Sequence, residues 1–220
     1  MTRAESRISI EIPADPVTLE GEINLPKEAK GVVIFAHGSG SSRLSPRNVF
    51  VARVLQSAGL GTLLFDLLTK EEDLIYENRF DIPLLGRRLK AATIWVKDQV
   101  RTSSPQVGYF GASTGAAAAI MAAAELGEEV KAIVSRGGRP DLAKKALGQV
   151  LAPTLFIVGG NDRFVLKLNR DAMLHMKNIT ELKVIPGASH LFEEPGTLEE
   201  VARLAAEWFT KYLNIDLTRR

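Results

Sequence analysis

Cysteine is missing from all 220 positions. That excludes a disulfide framework, a cysteine nucleophile and a thiolate metal site. Histidine is scarce as well. The three present, His37, His175 and His190, are too scattered for a histidine-rich metal centre, so no metal and no other cofactor is expected. Charge of one sign is also lacking. Lysine plus arginine number 28 against 26 aspartate plus glutamate, a net +2, and no like-charge run exceeds the three residues Glu71 to Asp73. A dedicated nucleic-acid surface is therefore not expected. No apolar run reaches the length of a membrane span, and the opening MTRAESRISIEIP lacks the apolar core of a secretion signal. The expectation is a soluble, cytoplasmic protein with neither membrane nor nucleic-acid partner.

What is present has the balance of a globular chain, 45% hydrophobic and 25% charged. At this length one domain, spanning 1–220, is expected to close its own core. Two patterns divide it. Up to Leu25 apolar and polar residues alternate: Ile8, Ile10 and Ile12, then Val17, Leu19, Ile23 and Leu25. Period two with one polar face predicts two half-exposed antiparallel strands turning at Pro13-Ala14-Asp15-Pro16. After Pro26 the apolar residues come in short continuous runs: Val32 to Ala36, Thr62 to Phe65, Val107 to Phe110, Ala132 to Val134, Thr154 to Val158 and Leu182 to Ile185. Such runs suit strands buried on both faces of a parallel sheet. Helical spacing lies between them, at 47–58, 83–98, 114–126, 140–147, 164–177 and 197–213. In the last, Leu198, Val201, Leu204, Ala205, Trp208, Phe209 and Tyr212 make one stripe. Repeated strand–helix alternation predicts a doubly wound α/β sheet.

Ligands of such a sheet bind beyond the carboxyl ends of its strands, so the segment after each run is where chemistry belongs. One of them, Gly111-Ala112-Ser113-Thr114-Gly115, matches G-x-S-x-G between a buried strand and an alanine-rich helix. That context is the one a nucleophilic serine elbow requires; the alternative is a tight turn with Ser113 as a helix cap. A serine hydroxyl needs a base, and the base an orienting acid. Of the histidines, His190 follows the last strand in a glycine-containing loop, and Asp162 follows the strand before it. Ser113, Asp162, His190 is one of the known triad orders. Asp66, which also ends a strand, is the runner-up acid. His37 reads as structural, and His175 falls inside a predicted helix.

Acyl transfer also needs N–H groups for the developing oxyanion. The Thr114 N–H is one candidate donor. The loop His37-Gly38-Ser39-Gly40 supplies the second, with the Ser39 N–H favoured over that of Gly40. Gly40, Arg136 and Arg139 are candidate substrate contacts. The two arginines lie in Ser135-Arg136-Gly137-Gly138-Arg139, which is expected to border the site. The opposing reading pairs either of them with Asp66 or Asp141.

HGSGSS, GYFGASTGAAAA, FIVGGNDRFV and PGASHLFEEPG together resemble the α/β-hydrolases, in the dienelactone-hydrolase-like branch, over essentially the whole chain. SRGGRPDLA and HLFEEPG resemble more closely the hydrolase domain found alone or fused behind a phosphoribosyltransferase domain. The resemblance implies a mostly parallel eight-stranded sheet with helices on both faces and ester hydrolysis by a triad falling on Ser113, Asp162 and His190. One departure stands out: dienelactone hydrolases use a cysteine nucleophile, so a serine esterase is the better reading here. The interval between Val134 and Thr154, where many lipases carry a cap, holds only a glycine-rich loop and one short helix, so no large lid is expected. The irregular stretch Thr69 to Gly86 forms either a wall of the cleft or a solvated loop. The function expected is hydrolysis of small or short-chain esters. A thioesterase or peptidase with the same triad, or a non-enzymatic interaction module on this fold, are the alternatives. Oligomeric state is not readable from the chain.

Overall fold

Strand β1 (Ile8–Ala14) pairs antiparallel with β2 (Val17–Asn24), from Ile8 opposite Ile23 to Ala14 opposite Val17. Period two explains the pairing: Ile12, Leu19 and Ile23 turn inward and are buried, while Glu11, Pro13, Thr18 and Glu20 face out. The computed structural model describes residues 8–26, 29, 31–99 and 105–213. Next come β3 (Val32–Ala36), β4 (Gly61–Phe65), β5 (Val107–Ala112), β6 (Val130–Arg136), β7 (Thr154–Gly159) and β8 (Thr180–Ile185). These six run parallel, and β2 joins them antiparallel to β4, in the order β1-β2-β4-β3-β5-β6-β7-β8. The continuous apolar runs lie in the middle of this sheet, where both faces are covered.

Helices α1 (Pro46–Ser57) and α6 (Thr197–Tyr212) cover one face. Their Val51, Leu55, Val201, Ala205 and Phe209 pack with Val33, Phe35 and Phe110. Helices α3 (Ile82–Gln99) and α4 (Thr114–Leu126) cover the other, with Leu89, Ala92, Val96 and Ala117 to Ile120 against Ile34, Leu63 and Tyr109. Each large side chain so buried stabilises the fold by about 1.5–3 kcal/mol. The α6 stripe is buried as its spacing predicts at Val201, Leu204, Ala205, Trp208 and Phe209.

Three stretches differ from the sequence reading. The predicted helix 140–147 is a 3-10 run, Pro140–Gln149, broken at Ala143 (φ −114°, ψ 26°); Ala143, Ala146 and Leu147 are buried against α4 on either side of the break. The helix expected over 164–177 is α5 (Arg163–Met173). Its inward residues are Val165, Asn169 and Ala172, and just past its end the His175 N–H closes a turn onto the Ala172 carbonyl. The irregular stretch after Thr69 begins as the short helix α2 (Lys70–Asp73). Its start is a capping box: Thr69 accepts from the Glu72 N–H, and Glu72 accepts from the Thr69 N–H. A 3-10 turn, Tyr76–Phe80, leads from there into α3. Between β6 and β7 no large lid is found, only the loop and the 3-10 run.

Candidate active site

Ser113 sits between β5 and α4 at φ 51°, ψ −120°, a backbone state that costs about 1–3 kcal/mol and must be held from outside. Three backbone bonds hold it. Its N–H donates to the Arg136 carbonyl at 3.2 Å, and its carbonyl accepts from Ala116 and Arg139, each at 3.1 Å. The flanking glycines allow the close approach. A Cβ on Gly111 would lie 2.5 Å from the Ala116 Cα, and one on Gly115 would strike the carbonyls of Ala36 and His37. The Ser113 side chain makes no capping bond, so the capping-serine alternative is not the arrangement found.

The loops after β7 and β8 bring Asp162 and His190 together. Asp162 caps α5, and its Oδ2 lies 2.6 Å from His190 Nδ1, a charge-assisted hydrogen bond. The two loops are tied by Asn161, whose N–H donates to the Ala188 carbonyl and whose side chain donates to that of Gly187. Glu194 fastens the histidine loop from the far side. It accepts the Ser189 N–H at 3.0 Å, and this bond holds its carboxyl below the usual carboxylate range. Ser113 Oγ makes no hydrogen bond with His190 in this structure. Asp66 stands elsewhere. It accepts from the Arg43 backbone N–H at 2.7 Å and from the Arg43 guanidinium, which also pairs with Glu20.

His37 is buried and bonded to backbone on both sides. Its Nε2 accepts from the Leu67 N–H at 3.0 Å, so the proton sits on Nδ1 and is donated to the Gly38 carbonyl, also at 3.0 Å. The imidazole thus ties the loop after β3 to the loop after β4. Beside it the Ser39 N–H donates to Thr114 Oγ1 at 2.8 Å. The N–H expected to be a direct oxyanion donor is therefore already engaged, because Thr114, the residue after Ser113, carries a hydroxyl of its own. The Thr114 N–H, at the first position of α4, has no acceptor among the described residues. Ser39, Gly40, Leu67, Arg79, Leu85 and Thr114 line a cleft of about 10 Å³, room for about one water molecule. The stretch Thr69 to Gly86 thus walls the cleft through Asp73, Arg79 and Leu85, while its Leu74, Ile75 and Tyr76 are exposed. Arg79 is gripped through two side-chain bonds by Asp73, at 2.9 and 2.8 Å.

Neither candidate arginine lines that cleft. Arg139 holds Asp141 through two bonds, at 2.9 and 2.8 Å, which is the structural pairing. Arg136 points into the α1/α6 face, with its guanidinium 5.8 Å from the centre of the Phe192 ring and no ion pair among the described residues. Burial, and then the nearby Arg47 charge, push its pKa down to about 10.

Sequence reasoning missed four side chains: Glu194, Arg79, Asn169 and the Thr114 hydroxyl. Asn169 is fully buried on α5 and donates to the Gly138 carbonyl at 3.0 Å, bracing the loop that holds Ser113. It did leave a signal, a polar residue between Val165 and Ala172 on the helix's inward stripe. Among the described residues no group of three or more His, Asp or Glu side chains is placed to hold a metal ion, and no helix is long and apolar enough to cross a membrane.

The strand order, with the serine elbow behind the third of the parallel neighbours β4-β3-β5, defines the α/β-hydrolase class. Within that class the chain belongs to the dienelactone hydrolase family, whose model matches residues 19–215. A crystal structure of a dienelactone hydrolase from Anabaena variabilis is 55% identical, with a TM-score of 0.91 over 94% of this chain and 98% of that one. Two Mycobacterium tuberculosis proteins, each named "Putative phosphoribosyl transferase", are 56% identical over 204 residues, 93% of this chain and 46% of theirs. The chain thus spans about half the length of the curated relatives it matches. At lower identity the fold alone is shared, as with the Pyrococcus furiosus esterase Pf2001 (20% identical, TM-score 0.80 over 96% of this chain and 92% of that one).

Proposed function

We propose that this chain hydrolyses small carboxylic esters through an acyl-enzyme on Ser113, with His190 as base and Asp162 as its orienting acid. The observation that carries the reading is the 2.6 Å bond between His190 Nδ1 and Asp162 Oδ2, on the two loops beside a serine held at positive φ. Asp162 keeps the Nδ1 proton, so Nε2 is the basic nitrogen and takes the proton of Ser113 Oγ as that oxygen attacks the ester carbonyl. The same proton then goes from His190 to the departing alkoxide. Water repeats the sequence on the acyl-enzyme, giving the acid and free serine. Family membership supports an ester as the substrate class: the 55% identical relative is named for a lactone, itself an ester. The phosphoribosyl transferase name belongs to proteins of which this chain matches less than half, and it contributes nothing to this reading.

A fluorophosphonate probe reacts only with an activated serine and tests the proposal directly. The expected result is one adduct per chain, on the peptide containing Ser113, with loss of p-nitrophenyl acetate hydrolysis. Ser113→Ala should stay folded, take no label and lose at least about 1000-fold in kcat. An unlabelled wild type, or a folded Ser113→Ala protein that keeps most of its activity, overturns the assignment.

A further inference from the structure

The Thr114 hydroxyl occupies an unusual position for a buried polar group. The residue is 2% exposed, its Oγ1 accepts the Ser39 N–H at 2.8 Å, and among the described residues its own proton has no acceptor. A threonine at the start of a helix commonly spends that proton on a nearby carbonyl. Here it does not, and Thr114 lines the cleft with Ser39 and Gly40. A buried hydroxyl that accepts one bond and donates none is half-satisfied, a state that costs free energy until a partner arrives. Accepting from a backbone N–H also makes its O–H a stronger donor.

We propose that the Thr114 side chain is a catalytic hydrogen-bond donor, its Oγ1–H meeting the substrate oxyanion beside the Thr114 N–H while the Ser39 N–H orients and polarises that hydroxyl. This rests on the ester-hydrolysis reading above and refines it. As Ser113 Oγ bonds to the carbonyl carbon, the carbonyl π pair moves onto oxygen and the serine proton goes to His190. The hydroxyl proton is shared with the new oxyanion and stays on Thr114, so no further proton acceptor is needed. Both direct donors then come from one residue, fixed by α4 behind it and by Ser39 above it, which is the preorganisation that gives oxyanion sites their effect. The rival arrangement has the hydroxyl as a plug. In that case it must swing away so that the Ser39 N–H can reach the oxyanion, and removing it would help catalysis.

The two arrangements predict opposite results for Thr114→Val, which keeps the shape and deletes the hydroxyl. On p-nitrophenyl acetate the proposal expects kcat to fall about 100-fold with KM changed less than about threefold, and Thr114→Ser to stay within about threefold of wild type. Affinity for a trifluoromethyl ketone, whose adduct on Ser113 carries the same oxyanion, should fall in step with kcat/KM. A Thr114→Val protein as fast as wild type or faster, or one whose loss Thr114→Ser does not rescue, overturns the proposal. Thr114→Ala gives the same decision if the valine variant does not fold. A wild type that neither hydrolyses the ester nor takes the fluorophosphonate label fails the ester reading instead, so the two failures are distinguishable.

Discussion

Ser113, Asp162 and His190 each sit at the end of a different strand, and what each side chain can do depends on the partner it meets there. Asp66 and Asp162 look alike in the sequence, since both close an apolar run. The strand order separates them. Asp66 follows β4, on the far side of β3, β5 and β6 from the strands that present Asp162 and His190. Arg43 has claimed it there, through both its backbone N–H and its guanidinium. Asp162→Asn is therefore expected to lower kcat by about 10³–10⁴-fold, because an amide favours the wrong histidine tautomer. Asp66→Asn should remain within about threefold of wild type. Steady-state kinetics on both purified variants check this, and the reverse ranking would move the acid to Asp66. The arginines followed the same logic of local partners. Asp141 lies two residues from Arg139 and satisfies it, whereas the alternation of β6 sends Arg136 into the opposite face of the sheet.

The elements around the site are joined by few side chains, and His37 is the one with a readable pH signature. It couples the loops after β3 and β4 from a buried position. Burial pushes its imidazole below the ordinary value of 6.5 and outweighs the Gly38 bond, which acts the other way. The unfolded chain thus takes up a proton near pH 6.5 that the folded protein refuses, so stability is fully present above that pH and is lost as pH falls below it. One such proton accounts for at most about 1.4 kcal/mol per pH unit. Melting temperatures measured from pH 7.5 to 5.5 should fall toward acid in the wild type and fall less steeply in His37→Gln. Equal slopes would mean that His37 is not the group responsible. Helix α4 shows a second kind of coupling. Its inward residues are mostly alanines, and that lets Gly115 come into contact with the carbonyls at the end of β3 and brings Thr114 to Ser39.

At the scale of the whole molecule the short connection from β6 to β7 bears on which esters the proposed hydrolysis would favour. Among the described residues no inserted cap lies between β6 and β7 to cover the strand ends. An ester with a short acyl group needs no such cover, while a long acyl chain left uncapped would have little of its surface removed from water. p-Nitrophenyl esters of about two to eight carbons are expected to give the highest kcat/KM, with a fall of at least about tenfold by C16. Faster turnover of emulsified long-chain triglyceride than of a soluble short ester would contradict this.

Hydrophobic periodicity determined the sheet and its flanking helices, because a strand buried on both faces and a helix with one inward stripe leave different local patterns. The β3 to β7 runs and the α6 stripe were legible for that reason, and so was the convergence of Ser113, Asp162 and His190 on one sheet edge, since parallel strands carry their following loops to the same side. Local patterns say nothing about which side chains meet across that edge. The tertiary structure decided that Ser39 donates to Thr114, that Asn169 braces Gly138 and that Arg136 lies buried under Phe192. It also decided that 140–149 winds as broken 3-10 turns, because packing against α4 overrides the helical spacing. Each of these depends on strand order and on distances of a few ångströms between loops far apart in the chain, which no local pattern of residues encodes.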